Sequence, residues 1–177
     1  NHALQIIAGE DALTGLANRR RLDEALHAAF QLAAAQRQPL SFVLLDVDYF
    51  KRFNDQYGHP AGDDALRQVA AVLKQHARRS ADTTARYGGE ELALILPGSE
   101  SASAMAVAER IRAGVEALAI ANQGSPYANL TLSIGVASCI PGQTMHTPAD
   151  LVAAADVALY AAKSEGRNRV MLSEQPG

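Results

Sequence analysis

Gly88 and Gly89 stand between two strand-like runs, Thr83 to Tyr87 and Glu90 to Leu96, and this arrangement constrains the chain more than any other feature. Glycine reaches positive φ angles without steric cost, so a Gly-Gly pair between strand-forming residues predicts a tight β-hairpin. Around it, helical and strand periods alternate. Residues 19 to 38 place Leu22, Leu26, Ala29, Phe30 and Ala33 at helical spacing, and Pro39 closes that segment. Leu40 to Asp46 reads as a buried strand that ends on a carboxylate. A brief helical turn and the glycines Gly58 and Gly62 lead to a helix over 63 to 77, through Leu66, Val69, Ala70 and Leu73. Residues 101 to 119 predict another helix, while Leu130, Leu132, Ile134 and Val136 alternate as a half-buried strand. A last helix at 149 to 164 precedes a short strand at 169 to 172. The order αβααββαβαβ implies an α+β fold, a mixed sheet with helices packed against it.

At 177 residues and 48% hydrophobic, the chain has the size of one domain with one sizeable core. A net charge of -3 gives no overall basic field, which disfavours nucleic acid as a partner and leaves phosphate recognition to a few placed cations. Cys139 is the only cysteine, so no intrachain disulfide forms and a reducing cytoplasm is the expected compartment. No run of apolar residues is long enough to span a membrane. The chain starts at Asn1 without a methionine, and residues 1 to 10 read as the tail of an upstream linker helix. The expected domain is 11 to 173, with 174 to 177 as a tail and a sensor or signalling helix upstream.

Asp46 and Asp48 fall where the first strand meets its turn, and Glu90 and Glu91 where the hairpin returns. If those strands are neighbours, acidic side chains converge on one end of the sheet, where a divalent cation relieves their repulsion. Magnesium suits such a place, since it needs only one or two protein carboxylates and completes its shell with phosphate oxygens and water. Tyr49-Phe50-Lys51-Arg52 follows directly and opens a short helix whose free N–H groups and cations suit phosphate oxygens.

These stretches, taken in order, resemble the GGDEF diguanylate cyclase family. The resemblance is carried by Asp11 to Arg20, Asp46 to Asp55, Tyr57-Gly58-His59 with Gly62-Asp63, Arg86 to Leu92, and Ala161 to Arg169. Five ordered motifs make coincidence negligible, although any one alone is weak. The resemblance implies a ferredoxin-like fold with a nucleotidyl-cyclase palm-type sheet. It also implies a homodimer that condenses two GTP molecules into cyclic di-GMP with release of two pyrophosphates. Each protomer then carries one GTP.

By the same resemblance Asp46, the Val47 carbonyl and Glu90 hold Mg²⁺, with Mn²⁺ as an alternative, and Glu91 either binds metal or deprotonates the 3′-hydroxyl. Asn54 and Asp63 match the guanine readers. Tyr49, Phe50, Lys51, Lys163 and Arg167 surround the triphosphate, with Lys51 also counted among the catalytic groups. Lys51 and Lys163 are two of the chain's three lysines. Of three Arg-x-x-Asp strings, only Arg79 to Asp82 stands at the family's distance before the hairpin, and with Arg110 it implies a product-binding inhibitory site. Leu92 departs from the usual phenylalanine, which leaves volume to fill and threatens to loosen the hairpin. Two rival readings are a silent module that binds GTP or cyclic di-GMP, and a general polymerase-like palm.

Overall fold

The computed structural model describes residues 8 to 174. Its elements follow the expected order: α1 (Arg19–Gln36), β1 (Leu40–Val47), α2 (Phe50–Tyr57), α3 (His59–His76), β2 (Thr83–Gly88), β3 (Glu91–Pro97), α4 (Ser101–Ala117), β4 (Leu132–Cys139), α5 (Pro148–Ser164) and β5 (Arg169–Leu172). The expectation of an upstream helix tail over residues 1 to 10 falls, for residues 1 to 7, outside the described residues. Glu10 bridges to Ala17, and the Asn18 N–H donates to the Gly9 carbonyl at 2.7 Å, so Gly9 and Glu10 are tied to the domain.

The five strands form one sheet in the order β2-β3-β1-β4-β5. The central β1 runs antiparallel to both β3 and β4, and β5 lies parallel to β4. Alternation along each strand sorts the core into two layers. Val43, Leu45, Leu92, Leu94, Ile134 and Val136 face α3 and α4, whereas Phe42, Leu44, Ala93, Ile95 and Ala137 face α1 and α5. Helices therefore cover both faces, as the mixed-sheet reading requires.

Three local expectations are corrected. The strand expected to be half-buried, β4, is buried along its whole length. Its alternation is one of size: Leu132, Ile134 and Val136 fill the α4 side, while a Cβ at Gly135 would strike the backbone of Ala155 and Leu159 in α5. Next, α3 begins at His59 instead of 63, after Gly58 at φ 90° and with Pro60 in its first turn, and Gly62 lies inside it. Finally, only Gly89 takes a positive φ, of 40°, and Gly88 pairs with Glu91, so the hairpin loop is Gly89-Glu90. The ladder is irregular between Arg86 and Gly88, which takes up the extra residue Tyr87.

Leu92 is 0% exposed, packs in the layer under α3 and α4, and stands in register opposite Leu45.

Candidate active site

Strand order brings the acidic groups together. Asp46 and Glu91 are direct cross-strand partners on β1 and β3, and the Val47 N–H donates to the Glu90 carbonyl at 3.3 Å. Asp46 is buried, and Lys163 of α5 donates to its Oδ2 at 2.8 Å. Burial pushes the Asp46 carboxyl up to about 6 against the pull of Lys163, and the neighbouring charges of Glu90 and Glu91 raise it further. Glu91 is half-buried and also raised, first by burial, with Asp156 and Glu90 adding to it and Lys163 and Arg19 opposing it. Among the described residues, no three His, Cys, Asp or Glu side chains form a ready-made metal cage.

Asp48 takes a different place from its neighbour two residues earlier. It is buried and accepts hydrogen bonds from Thr131 Oγ1 at 2.8 Å, Ser133 Oγ at 2.6 Å and the Asn168 N–H at 3.0 Å. Its oxygens are thus committed to fastening β1 to β4 and to the turn after α5.

The phosphate cations expected from sequence are split between two elements. Tyr49 adopts φ 54° and starts α2 without a side-chain cap, which leaves the first-turn N–H groups open to an outside acceptor. The Phe50 ring is buried and stacks on Phe53 with centroids 6.0 Å apart, so Phe50 can offer a ligand only its main chain. Lys51 is exposed in that first turn. Across from it, Arg167 lies over the Tyr49 ring at 4.9 Å, and Arg52 faces the same ring at 4.9 Å.

Asn54 and Asp63 sit on α2 and α3. The Asn54 Oδ1 is buried with no hydrogen-bond partner among the described residues, a costly condition that marks it as an acceptor in need of a donor. It lies where a Cβ on Gly62 would be, so glycine at that helical position makes room for the amide. Asp63, next in sequence, is exposed.

A family model described as "Diguanylate cyclase, GGDEF domain" matches residues 8–169. The chain belongs to the GGDEF diguanylate cyclase family. It is similar to Diguanylate cyclase A of Treponema denticola, at 46% identity over 139 residues covering 78% of this chain and 36% of that protein. It is similar to the response regulator PleD of Caulobacter vibrioides, at 40% identity covering 97% of this chain and 37% of that protein. The chain thus spans little more than a third of the length of these two relatives. The GGDEF domain of DgcB from Caulobacter crescentus, solved in complex with c-di-GMP, superposes with a TM-score of 0.86 at 36% identity, covering 95% of this chain and 94% of that one. The mixed five-stranded sheet is that of the GGDEF fold.

This GGDEF domain has a polar cleft, of about 460 Å³, between the end of α3, the loop before β2 and α4. Arg79, Asp82 and Arg110 all line it, together with His76, Arg78 and Ser99. Arg79 Nη2 donates to Asp82 at 2.9 Å, to the Pro97 carbonyl at 2.9 Å and to Ser99 Oγ at 2.9 Å. His76 is held below its ordinary value by burial and then by Arg110 and Arg78. The sequence reading did not include His76 and Arg78, although both lie within four residues of Arg79.

Arg86 is another omission. Its Nε donates to the Gly89 carbonyl at 3.0 Å and its Nη1 reaches Asp11 at 3.3 Å, so it ties the hairpin turn to the first motif of the chain. Asp11 also accepts from the Thr14 N–H at 2.9 Å and from Thr14 Oγ1 at 2.7 Å. Both residues stand in the motif stretches, but only the folded chain pairs them. No helix among the described residues is long and apolar enough to cross a membrane.

Proposed function

We propose that this GGDEF domain joins two GTP molecules into cyclic di-GMP, working as a homodimer with one GTP on each protomer. The observation that carries the reading is the juxtaposition of Asp46, Glu91 and Lys163 at one end of the sheet with the orphaned acceptor Asn54 Oδ1 on the adjoining helix. Guanine presents adjacent donors on its Watson–Crick edge, and Asn54 with Asp63 supplies acceptors for them. Adenine leaves such acceptors unpaired, which is the strongest basis for discrimination a pocket of this kind has.

Mg²⁺, or Mn²⁺ in its place, fits the donor set. Two carboxylates, Asp46 and Glu90, with the Val47 carbonyl suffice once triphosphate oxygens complete the shell, and a divalent cation relieves the repulsion of Glu90 and Glu91 that helps to raise the Asp46 carboxyl. Bound there, the ion supplies charge neutralisation on the α-phosphate and the leaving pyrophosphate. Lys163 and Arg167 steady the phosphates from α5 and its following turn, and the first turn of α2, with Lys51, does so from the other side. Glu91 either shares the metal or takes the proton of the incoming 3′-hydroxyl. Each 3′-oxygen forms a bond to the α-phosphorus of the other GTP as the bond to pyrophosphate breaks, so one chain holds half of the reacting atoms. The cytoplasm supplies the GTP.

We further propose that cyclic di-GMP returns to the Arg79 cleft as an inhibitor. Arginine forks suit its phosphates and purine edges, and Arg78, Arg79 and Arg110 converge there.

The test is direct. The purified chain, stripped of nucleotide and concentrated, is incubated with GTP and Mg²⁺ and its products are separated and weighed. Cyclic di-GMP with pyrophosphate release is expected. GTP bound without any dinucleotide at any concentration would overturn the catalytic reading in favour of a binding module.

A further inference from the structure

Arg167 and Asn168 are consecutive non-glycine residues in the left-handed region, at φ 65° and 47°. Side chains disfavour this backbone, and asparagine tolerates it better than arginine does. The turn therefore persists only if its surroundings hold it. Tyr127 Oη donates to the Gly166 carbonyl at 2.5 Å, Arg169 Nε donates to the Arg167 carbonyl at 3.1 Å, and the Asn168 N–H is taken by Asp48.

The Asn168 side chain points the other way, to α4. Its Oδ1 accepts from Arg112 Nη1 at 2.8 Å, and its Nδ2 donates to Glu116 Oε2 at 2.6 Å. Arg112 is itself held by Glu109 at 2.6 Å and faces Glu116 at 3.5 Å. The amide is thus gripped at both ends by a charged cluster, and charge-assisted bonds of this kind are the strong ones. Four residues upstream of Arg167 stands Lys163 on Asp46, and Arg167 itself lies over Tyr49.

We propose that Asn168 is a positioning residue for the substrate's phosphates: clamped to α4 by Arg112 and Glu116, it fixes the turn that aims Arg167, beside Lys163 of α5, at the triphosphate. The proposal rests on the reading, given above, that these two cations hold the phosphates. It adds a cluster on α4, Glu109-Arg112-Glu116, whose charged groups reach the site through Asn168. Loss of the clamp leaves the guanine pocket of Asn54 and Asp63 untouched, because that pocket is built on α2 and α3.

Two variants test it. Asn168→Gly adopts the left-handed angles freely but loses both side-chain bonds, and Arg112→Ala keeps Asn168 while removing half of its clamp. Binding of GTP and of GMP to each chain is measured by calorimetry, with the melting temperature alongside. The expected result is GTP affinity lowered about tenfold, in line with the cost of a misplaced positioning group, and GMP affinity within about twofold of the unsubstituted chain. A purely structural role would lower the melting temperature without separating the two ligands. GTP binding unchanged in both variants, or GTP and GMP weakened alike, would overturn the proposal. If the unsubstituted chain binds GTP no tighter than GMP, the phosphate reading itself fails first and takes this proposal with it.

Discussion

Lys163 Nζ lies 2.8 Å from Asp46 Oδ2, so an ammonium on α5 compensates a carboxylate that burial has stripped of water. The compensation is incomplete. The Asp46 carboxyl stands at about 6 against an ordinary 3.8, so the folded chain binds this proton more tightly than the unfolded chain does. Between about pH 4 and pH 6, stability therefore falls as pH rises, and above that range the full cost is present. About two pH units correspond to roughly 3 kcal/mol, a figure that already includes the opposing pull of Lys163. Asp46→Asn should abolish synthesis yet raise the melting temperature by several degrees at about pH 7.5, measured by calorimetry with a chelator present. Near pH 4 the gain should vanish. An equal gain at both pH values would assign the effect to something other than ionisation.

Gly62 is buried in α3, and a Cβ there would overlap Asn54 Oδ1. Alanine favours a helix over glycine, so Gly62→Ala should leave the circular dichroism of the chain unchanged. The displaced amide should nonetheless lower GTP affinity by about a hundredfold and narrow the preference for GTP over ATP. Unaltered GTP binding in a folded Gly62→Ala chain would remove Asn54 from the guanine pocket.

Arg79 spreads its guanidinium over Asp82, the Pro97 carbonyl and Ser99. Its side chain is 55% exposed but that of Asp82 only 4%, so Arg79→Ala strips a nearly buried carboxylate of its partner and should cost about 1 to 3 kcal/mol of stability. Inhibition by added cyclic di-GMP should weaken by about tenfold or more, while the initial rate without product stays the same. The check is a dose–response curve of pyrophosphate release against product. A curve unmoved by the substitution would detach inhibition from this cleft.

The order of the elements was legible because apolar period and punctuation agree along most of the chain. Leu22, Leu26 and Phe30 mark α1, and Pro39 separates it from β1. Gly62 misled because glycine signals a break, whereas here it serves close packing inside a helix. The alternation in β4 misled because small residues such as Ser133 and Gly135 look like a solvent face until α5 is laid over them. Of the site, the residues inside motifs were legible one by one, but their partners were not. Asp48 looks like a second metal ligand until Thr131 and Ser133, 83 and 85 residues away, take up its oxygens. Nothing local to Asn168 points to Arg112, 56 residues earlier. Local sequence carries side-chain chemistry well, and long-range pairing only through the fold.

Arg86 joins two motifs that are 75 residues apart, holding the Gly89 carbonyl with one nitrogen and Asp11 with another. The two charged side chains are 22% and 19% exposed, so screening by water is limited. Burial works against a charged Asp11, but hydrogen bonds from Thr14 and the nearness of Arg86 outweigh it and hold its carboxyl below the ordinary value. The stability this pairing contributes is present at neutral pH and is lost as pH falls through that lowered value. The hairpin turn carries Glu90, so removing Arg86 should free the turn and let both acidic residues drift. Arg86→Ala should lower the rate at saturating GTP by about tenfold, and Asp11→Asn should do so in part. Because the two residues act on one turn, the double variant should be no slower than Arg86→Ala alone, with a coupling energy of about 0.5 to 1.5 kcal/mol in stability. Fully additive losses in rate and stability would mean that Asp11 and Arg86 act separately, and that the first motif does not steady the hairpin.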